Sequence, residues 1–463
     1  MSLMTTGEAE TIDAAIEPPF TVCPKCAKET YGVLHVGLRA YLRACTDCQI
    51  KNGKLTSKPG FFALPKISKK VIYLDQNILS GIVKAFRPEL RKGKMEAEVE
   101  QNWKLLFQKL DRLRKLQLIV CPFSIFHRRE SFVASDPLRL RLKALYKRLS
   151  NFVEFGEQMD ITAVQAYQYA KHSCDPLEPV FVGDPEQVTI GTVNSWERWS
   201  MKSVMTDYDW KPEYKGMLIE QNNNSEVEFQ RIYSGWVDEK LPIEDRYTKE
   251  ASGYGNEIRR VYTLKLMKQF PLTLPPAIAE KVNELWDEHP YIELIDNVYD
   301  LFSGGSEITN PLILRQVIDF LASEELQQNV PAIHIEPRLW AAVSKHAIAE
   351  KSARKTMKKG DPTDIAAIAT YLPYCDAMII DNAWKSELTS NPAKSEFQKY
   401  NTEIFSFNQM PKLMSYLEQI ENSASSDHLR RIKEIYGEVE ESDPFDAVSM
   451  KLYSQPIEET VSG

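Results

Sequence analysis

Six carboxylates on three distant stretches are the residues most able to do chemistry: Asp75 in VIYLDQN, Glu130 in FSIFHRRES, and Asp361, Asp364, Asp376 and Asp381 in GDPTDIAAIATYLPYCDAMIIDNAW. Asp75 and Asp381 each close a run of apolar, β-prone residues. An open α/β sheet sets its chemistry at that position, at the carboxyl ends of its strands. The chain has no glycine-rich phosphate loop and no nucleophile elbow, so acidic groups there point to a hard divalent ion, Mg2+ or Mn2+, and to phosphodiester chemistry.

A second group of ligands is unrelated to the first. Cys23-Pro-Lys-Cys26 and Cys45-Thr-Asp-Cys48 repeat a Cys-x2-Cys knuckle, whose spacing lets both thiolates turn toward one ion. Two knuckles complete a tetrahedral S4 site, which predicts a structural Zn2+ with no open position. Tyr31, His35, Arg39, Tyr41 and Arg43, between the knuckles, form the candidate docking surface. The other cysteines, Cys121, Cys174 and Cys375, are isolated, and this usage suits a reducing compartment better than disulfides.

The elements that must position these groups read as follows. Residues 1–20 are acidic, end in Pro18-Pro19 and are expected to be disordered. A zinc ribbon spans 21–62, followed by a linker with Pro59-Gly60 and Pro65. KKVIYLDQN predicts a buried strand with a helix beginning near Ile78, Glu96–Arg114 an amphipathic helix, and LQLIVCP a second strand. FSIFHRRESF starts a helix capped by Ser124. Residues 151–335 carry helical stretches such as EQMDITAVQAYQYAKHS and PPAIAEKVNELWDEH, but no chemical motif, and read as a helical insertion. PRLWAAVSKHAIAEKSARKTMKK is a helix stopped by Gly360. In DPTDIAAIATYLP, Asp361 is read as the N-cap, with Pro362 at the first helical position. CDAMIID and TEIFSFN are further strands, MPKLMSYLEQIE is a closing helix, and residues beyond about 437 are expected to be disordered. Strands alternating with helices imply a parallel, doubly wound sheet, split between 66–150 and 336–420, with an acidic helix and tail over 421–463.

Size and charge bound the function. The 463 residues, 43% hydrophobic, suffice for one large core or two to three domains. No apolar run reaches the roughly 18 residues of a membrane helix, and the acidic start lacks a signal-peptide core, so the expectation is a cytoplasmic protein with no membrane partner. The net charge of −8 is uneven. Residues 66–148 carry about twenty Lys and Arg against about eight acidic residues, in runs such as KAFRPELRKGK and RLRLKALYKR, and KSARKTMKKG directly precedes Asp361. Cations flanking a carboxylate cluster are what a polyanionic substrate needs.

The order VIYLDQN, a helix carrying Glu130, then DPTDIAAIATYLPYCDAMIID and a last strand and helix resembles the PIN-like nuclease family. The resemblance covers about 66–150 and 335–420. It implies a Rossmann-type α/β/α sandwich with a parallel sheet, in which acidic residues bind Mg2+ or Mn2+ and cleave RNA or, in some branches, DNA. By position, the catalytic set would be Asp75, Glu130, Asp364 or Asp361, and Asp381, with Asp376 an additional carboxylate. Asn77, His127, Arg128 and Arg129 would meet substrate. Two departures stand out: the long insertion, and two Asp residues competing for the third position. The resemblance also implies a toxin or phage-defence setting, with the insertion available to a regulatory partner or a second copy. Two other classes compete. One is a non-catalytic module binding nucleic acid or protein through the zinc ribbon and nuclease-like core. The other, a dehalogenase-like phosphatase, requires a second Asp where this chain has Asn77.

Overall fold

The computed structural model describes residues 16–52, 54–197, 212–269, 290–305, 310–350, 360–440 and 443–445. Its centre is a four-stranded sheet in the order Glu403–Phe405, Ala377–Ile379, Lys70–Leu74, Ile119–Val120, with every pair parallel. Chain order therefore runs outward in one direction from Lys70–Leu74 and then in the other. The crossover direction reverses between Lys70–Leu74 and Ala377–Ile379, and a crevice opens at such a reversal, beyond the carboxyl ends of the two strands.

Both faces of this sheet are covered, as its unbroken apolar strands require. Val71, Tyr73, Met378 and Ile380 face one core with helix Asp361–Tyr371 and part of helix Pro331–Glu350. Ile72, Leu74, Ala377 and Ile379 face the other, against helices Gln76–Phe86, Ala97–Lys115, Asp136–Ser150 and Met410–Asn422. Alternation along Val71–Leu74 thus assigns successive side chains to opposite cores.

Between residues 151 and 335 the described residues are mainly helical. Helices Gln158–Cys174, Ile243–Gln269, Pro290–Ser303, Pro311–Leu321 and Glu324–Asn329 share a separate apolar core that includes Tyr169, Ile258, Ile295 and Leu321. The stretch PPAIAEKVNELWDEH and the basic run of residues 351–359 lie outside the described residues.

Several expectations are corrected. Glu17–Thr21 is a strand paired antiparallel with Tyr31–Val36, because the hydrogen bonds of a sheet edge outweigh an acidic, proline-containing composition. The supposed linker contains strand Gly60–Ala63, the opposite edge of the same four-stranded sheet. Any side chain at Gly60 would displace Tyr31, since a Cβ there would stand 1.8 Å from the Tyr31 hydroxyl. In the tail, Phe445 is buried beside Phe86. Gly360, not Asp361, precedes helix Asp361–Tyr371, which places Asp361 first and Pro362 second in its opening turn.

Among the described residues, several members of the basic runs are engaged by the fold. Arg91 pairs with Glu100 at 2.7 Å and Arg87 with Asp443 at 3.2 Å. Arg148, 3% exposed, donates to both oxygens of Asp111 at 2.8 and 2.7 Å, and Arg114 reaches Asp111 and Glu197. Burial would raise the Asp111 carboxyl, yet the Arg148 hydrogen bonds and the charges of Arg114 and Arg148 hold it well below the usual range. Asp111→Ala should therefore cost about 3–5 kcal/mol, since it removes the buried carboxylate whose two oxygens Arg148 engages and which, together with Glu197, pairs Arg114. Urea unfolding followed by circular dichroism measures this, and a variant as stable as the parent would refute the pairing's role.

Candidate active site and cysteine cluster

The site is assembled from helix starts that immediately follow strand ends. Asp75 follows Lys70–Leu74 and caps helix Gln76–Phe86, and its amide donates to the Ile379 carbonyl at 2.9 Å across the sheet. Asp381 follows strand Ala377–Ile379 after Ile380 and is the N-cap residue of helix Asn382–Leu388. Asp364 lies in the first turn of helix Asp361–Tyr371. These three carboxylates, with Trp384 and the apolar Tyr73, Ala367, Ile368 and Ile380, line one small cleft at the reversal of the sheet.

Burial and mutual repulsion raise the carboxyls of this cleft. Burial pushes Glu130 up to about 8, with the Asp75 charge adding to it. Asp364 is likewise raised to about 8 by burial, then by Asp75, Glu130 and Asp361. Asp75 rises to about 6 through burial, against the opposing hydrogen bond from Asn77 Nδ2 to its Oδ2 at 3.2 Å. One neutral group bears on the same place: Trp384 Nε1 donates to Asp364 Oδ2 at 3.1 Å. Trp384 was not anticipated from sequence; its signal is an indole three residues after a strand-end Asp, in the first turn of the next helix.

Grouped carboxylates at helix starts fit a divalent cation. Their spacing bears on how it would be held. Among the described residues only the cysteines bring three or more candidate donor atoms within 4.8 Å of one another. Direct octahedral ligands at about 2.1 Å could lie no more than about 4.2 Å apart, so this cleft suits an ion that keeps several waters and takes one or two carboxylates directly.

Other assigned residues stand elsewhere. Asp376 is at the amino end of strand Ala377–Ile379, opposite the cleft; its oxygens accept from Lys70 Nζ at 2.7 Å and the Val71 amide at 2.8 Å. It is a sheet-register residue, and its place in the ligand set is withdrawn. His127 is 2% exposed, with Nε2 donating to the Leu74 carbonyl at 2.7 Å and Nδ1 accepting from the Ser124 amide at 3.0 Å. Burial lowers it to about 4, so it stays neutral and ties its helix to the strand end that delivers Asp75, and no substrate can reach it. Arg128 pairs with Glu154 in a different cavity, whereas Arg129 is exposed. Asn77 remains beside Asp75, exposed toward solvent. Asp361 is buried and acts on Asp364 electrostatically.

The pH dependence follows with a definite sign. The three raised carboxyls bind protons more tightly in the folded protein than in the unfolded chain, where they titrate near 4. Their contribution to stability is full below about pH 4 and is lost as pH rises toward 8. Metal-free protein should therefore melt progressively lower from pH 5 to pH 8, and the gain in melting temperature on adding Mn2+ should grow over the same range. A gain from Mn2+ that does not change with pH would contradict this.

The cysteine cluster is closed. Cys23 and Cys48 sulfurs are 3.6 Å apart, as are those of Cys26 and Cys45, and all four lie within 4.8 Å. Metal–sulfur bonds of about 2.3 Å in a tetrahedron set sulfurs about 3.8 Å apart, so the four thiols fit a single ion. Of the proposed docking residues, Tyr31, Tyr41 and Arg43 are buried, Arg43 donating to the carbonyls of Pro19 and Tyr31. Only Arg39 is exposed. The module also rests on the main body: Val33, Val36 and Tyr41 share a core with Leu116, Trp196, Ile432 and Ile435.

No protein-family model, no curated protein and no solved structure matches the chain. No helix among the described residues is long and apolar enough to cross a membrane.

Proposed function

We propose that the chain is a divalent-metal-dependent nuclease of the PIN-like type, acting on RNA in preference to DNA, with its active site at Asp75, Asp364 and Asp381 and with Glu130 beside them. The observation that carries this reading is the group of largely buried, mutually repelling carboxylates at the sheet's reversal point. Mg2+ or Mn2+ bound there supplies a Lewis acid and an acidified water for phosphodiester hydrolysis. The chain's own residues do the rest. Asn77 orients Asp75, the Trp384 indole fixes Asp364, and Tyr73 and Ile380 exclude bulk water from the floor of the cleft.

The cysteine cluster holds Zn2+ as a structural ion, since four sulfurs leave no position for a reactant. A toxin or phage-defence role fits a nuclease with a large helical insertion available to a regulator, and growth arrest on induction that requires an intact Asp75 tests it. The non-catalytic reading has one observation in its favour, the wide spacing of the carboxylates. Labelled single-stranded RNA and DNA incubated with purified protein and Mn2+, Mg2+ or EDTA separate the two. Metal-dependent cutting supports the nuclease, and binding without cutting supports the module.

A further inference from the structure

Far from the acidic cleft, a cavity of ≈ 430 Å3 opens where helix Gln158–Cys174 meets Ile243–Gln269, Pro290–Ser303 and Pro331–Glu350. Its size is within the range of small-molecule sites. From the last of these helices it takes Ile333, Glu336, Pro337 and Trp340, one face at spacings of three and four residues. The opposite face presents Leu339, Val343 and Ala347 to the core shared with helix Asp361–Tyr371.

The polar groups lining this cavity are mismatched in one direction. Glu250 has Arg246 at 3.6 Å, and both oxygens of Glu257 accept from Arg260. Glu336 receives only neutral donors, Gln158 Nε2 at 2.7 Å and Trp340 Nε1 at 3.5 Å, and burial raises its carboxyl. The Tyr254 hydroxyl is buried without any partner. Pro337, inside the helix, has no N–H to offer the Ile333 carbonyl four residues earlier. Glu336, Tyr254 and Ile333 thus line one cavity with the rings of Tyr291 and Trp340, and among the described residues no Lys or Arg lines it.

We propose that this cavity binds an aliphatic primary amine, with the ammonium held by Glu336, the Tyr254 hydroxyl and the Ile333 carbonyl and the methylenes against Trp340 and Tyr291. An ammonium group brings three donors and no acceptor, which matches three separate acceptors. Aromatic walls add cation–π attraction and cover the alkyl chain. A neutral alcohol of the same length would leave the carboxylate without a counter-charge.

Calorimetric titration of the full chain with butylamine, 1,4-diaminobutane, N-acetyl-lysine methylamide and n-butanol tests the site. The amines should bind saturably below about 10 mM and butanol should not. Preference for the lysine derivative would name a protein side chain as the source, and preference for the free amines a small metabolite. Glu336→Gln should weaken amine binding about tenfold or more. Tyr254→Phe, which removes a hydroxyl with no partner, should weaken it about fivefold while leaving the melting temperature unchanged. Butanol binding as tightly as butylamine, no saturable amine binding, or amine affinity unaffected by both substitutions would overturn the proposal.

Discussion

Asp75→Asn and Asp381→Asn are each expected to reduce metal-dependent cleavage by about a thousandfold or more, the loss of roughly 4 kcal/mol of transition-state stabilisation. Asparagine keeps the shape of each side chain and its place at the helix start, but it removes the charge that would hold the ion. Asp376→Asn serves as the counterpart. That side chain is engaged with Lys70 and Val71 at the far end of the sheet, so its replacement should leave cleavage within a few-fold of the parent. Single-turnover rates on labelled RNA in Mn2+ decide the matter. Equal rates for Asp75→Asn and the parent would remove the active site from this cleft, and a large loss in Asp376→Asn would show that the effect is one of folding.

Removal of the zinc proposed for the cysteine cluster should be the largest single blow to stability. Structural zinc sites in isolated peptides are worth about 10–16 kcal/mol near neutral pH. Here the effect should extend beyond the module, because Trp196 is buried between its strands and helix Ser426–Tyr436, with Nε1 donating to the Pro65 carbonyl at 2.9 Å. Cys45→Ser, or prolonged chelation, should release one zinc per chain, red-shift tryptophan emission and lower the first thermal transition by tens of degrees. Cys45 is the informative position. Although burial opposes it, hydrogen bonds from Thr30 and from the Cys48 and Asp47 amides bring its thiol down to about 6. A metal-free protein with an unchanged melting profile would refute the structural assignment.

The parallel sheet and the places of Asp75 and Asp381 could be read from the chain because each Asp ends an apolar run, and that pattern depends only on local sequence. Groups whose role is fixed by distant partners could not be read in the same way. His127 sits in a run of polar residues, and only the Leu74 carbonyl, which comes from another element, makes it a core residue. Asp376 looks like its neighbours until Lys70 is placed beside it. The run Arg139–Arg148 resembles a solvated basic face, yet Lys143, Lys147 and Arg148 turn inward, where Asp111 balances the last of them. The Trp384–Asp364 contact joins two helices, and neither segment alone predicts it.

The central strand has a consequence for how the protein is made. Lys70–Leu74 gains its Ala377–Ile379 neighbour only after about three hundred further residues have been synthesised, which takes roughly 15–60 s at ordinary elongation rates. For most of that interval the nascent chain has Asp75 but neither Asp364 nor Asp381, and one edge of its central strand is unpaired. The acidic cleft therefore cannot exist on an incomplete polypeptide, and a ribosome that stalls within the helical insertion releases a product with an open sheet edge, suited to chaperone capture and unable to form this site.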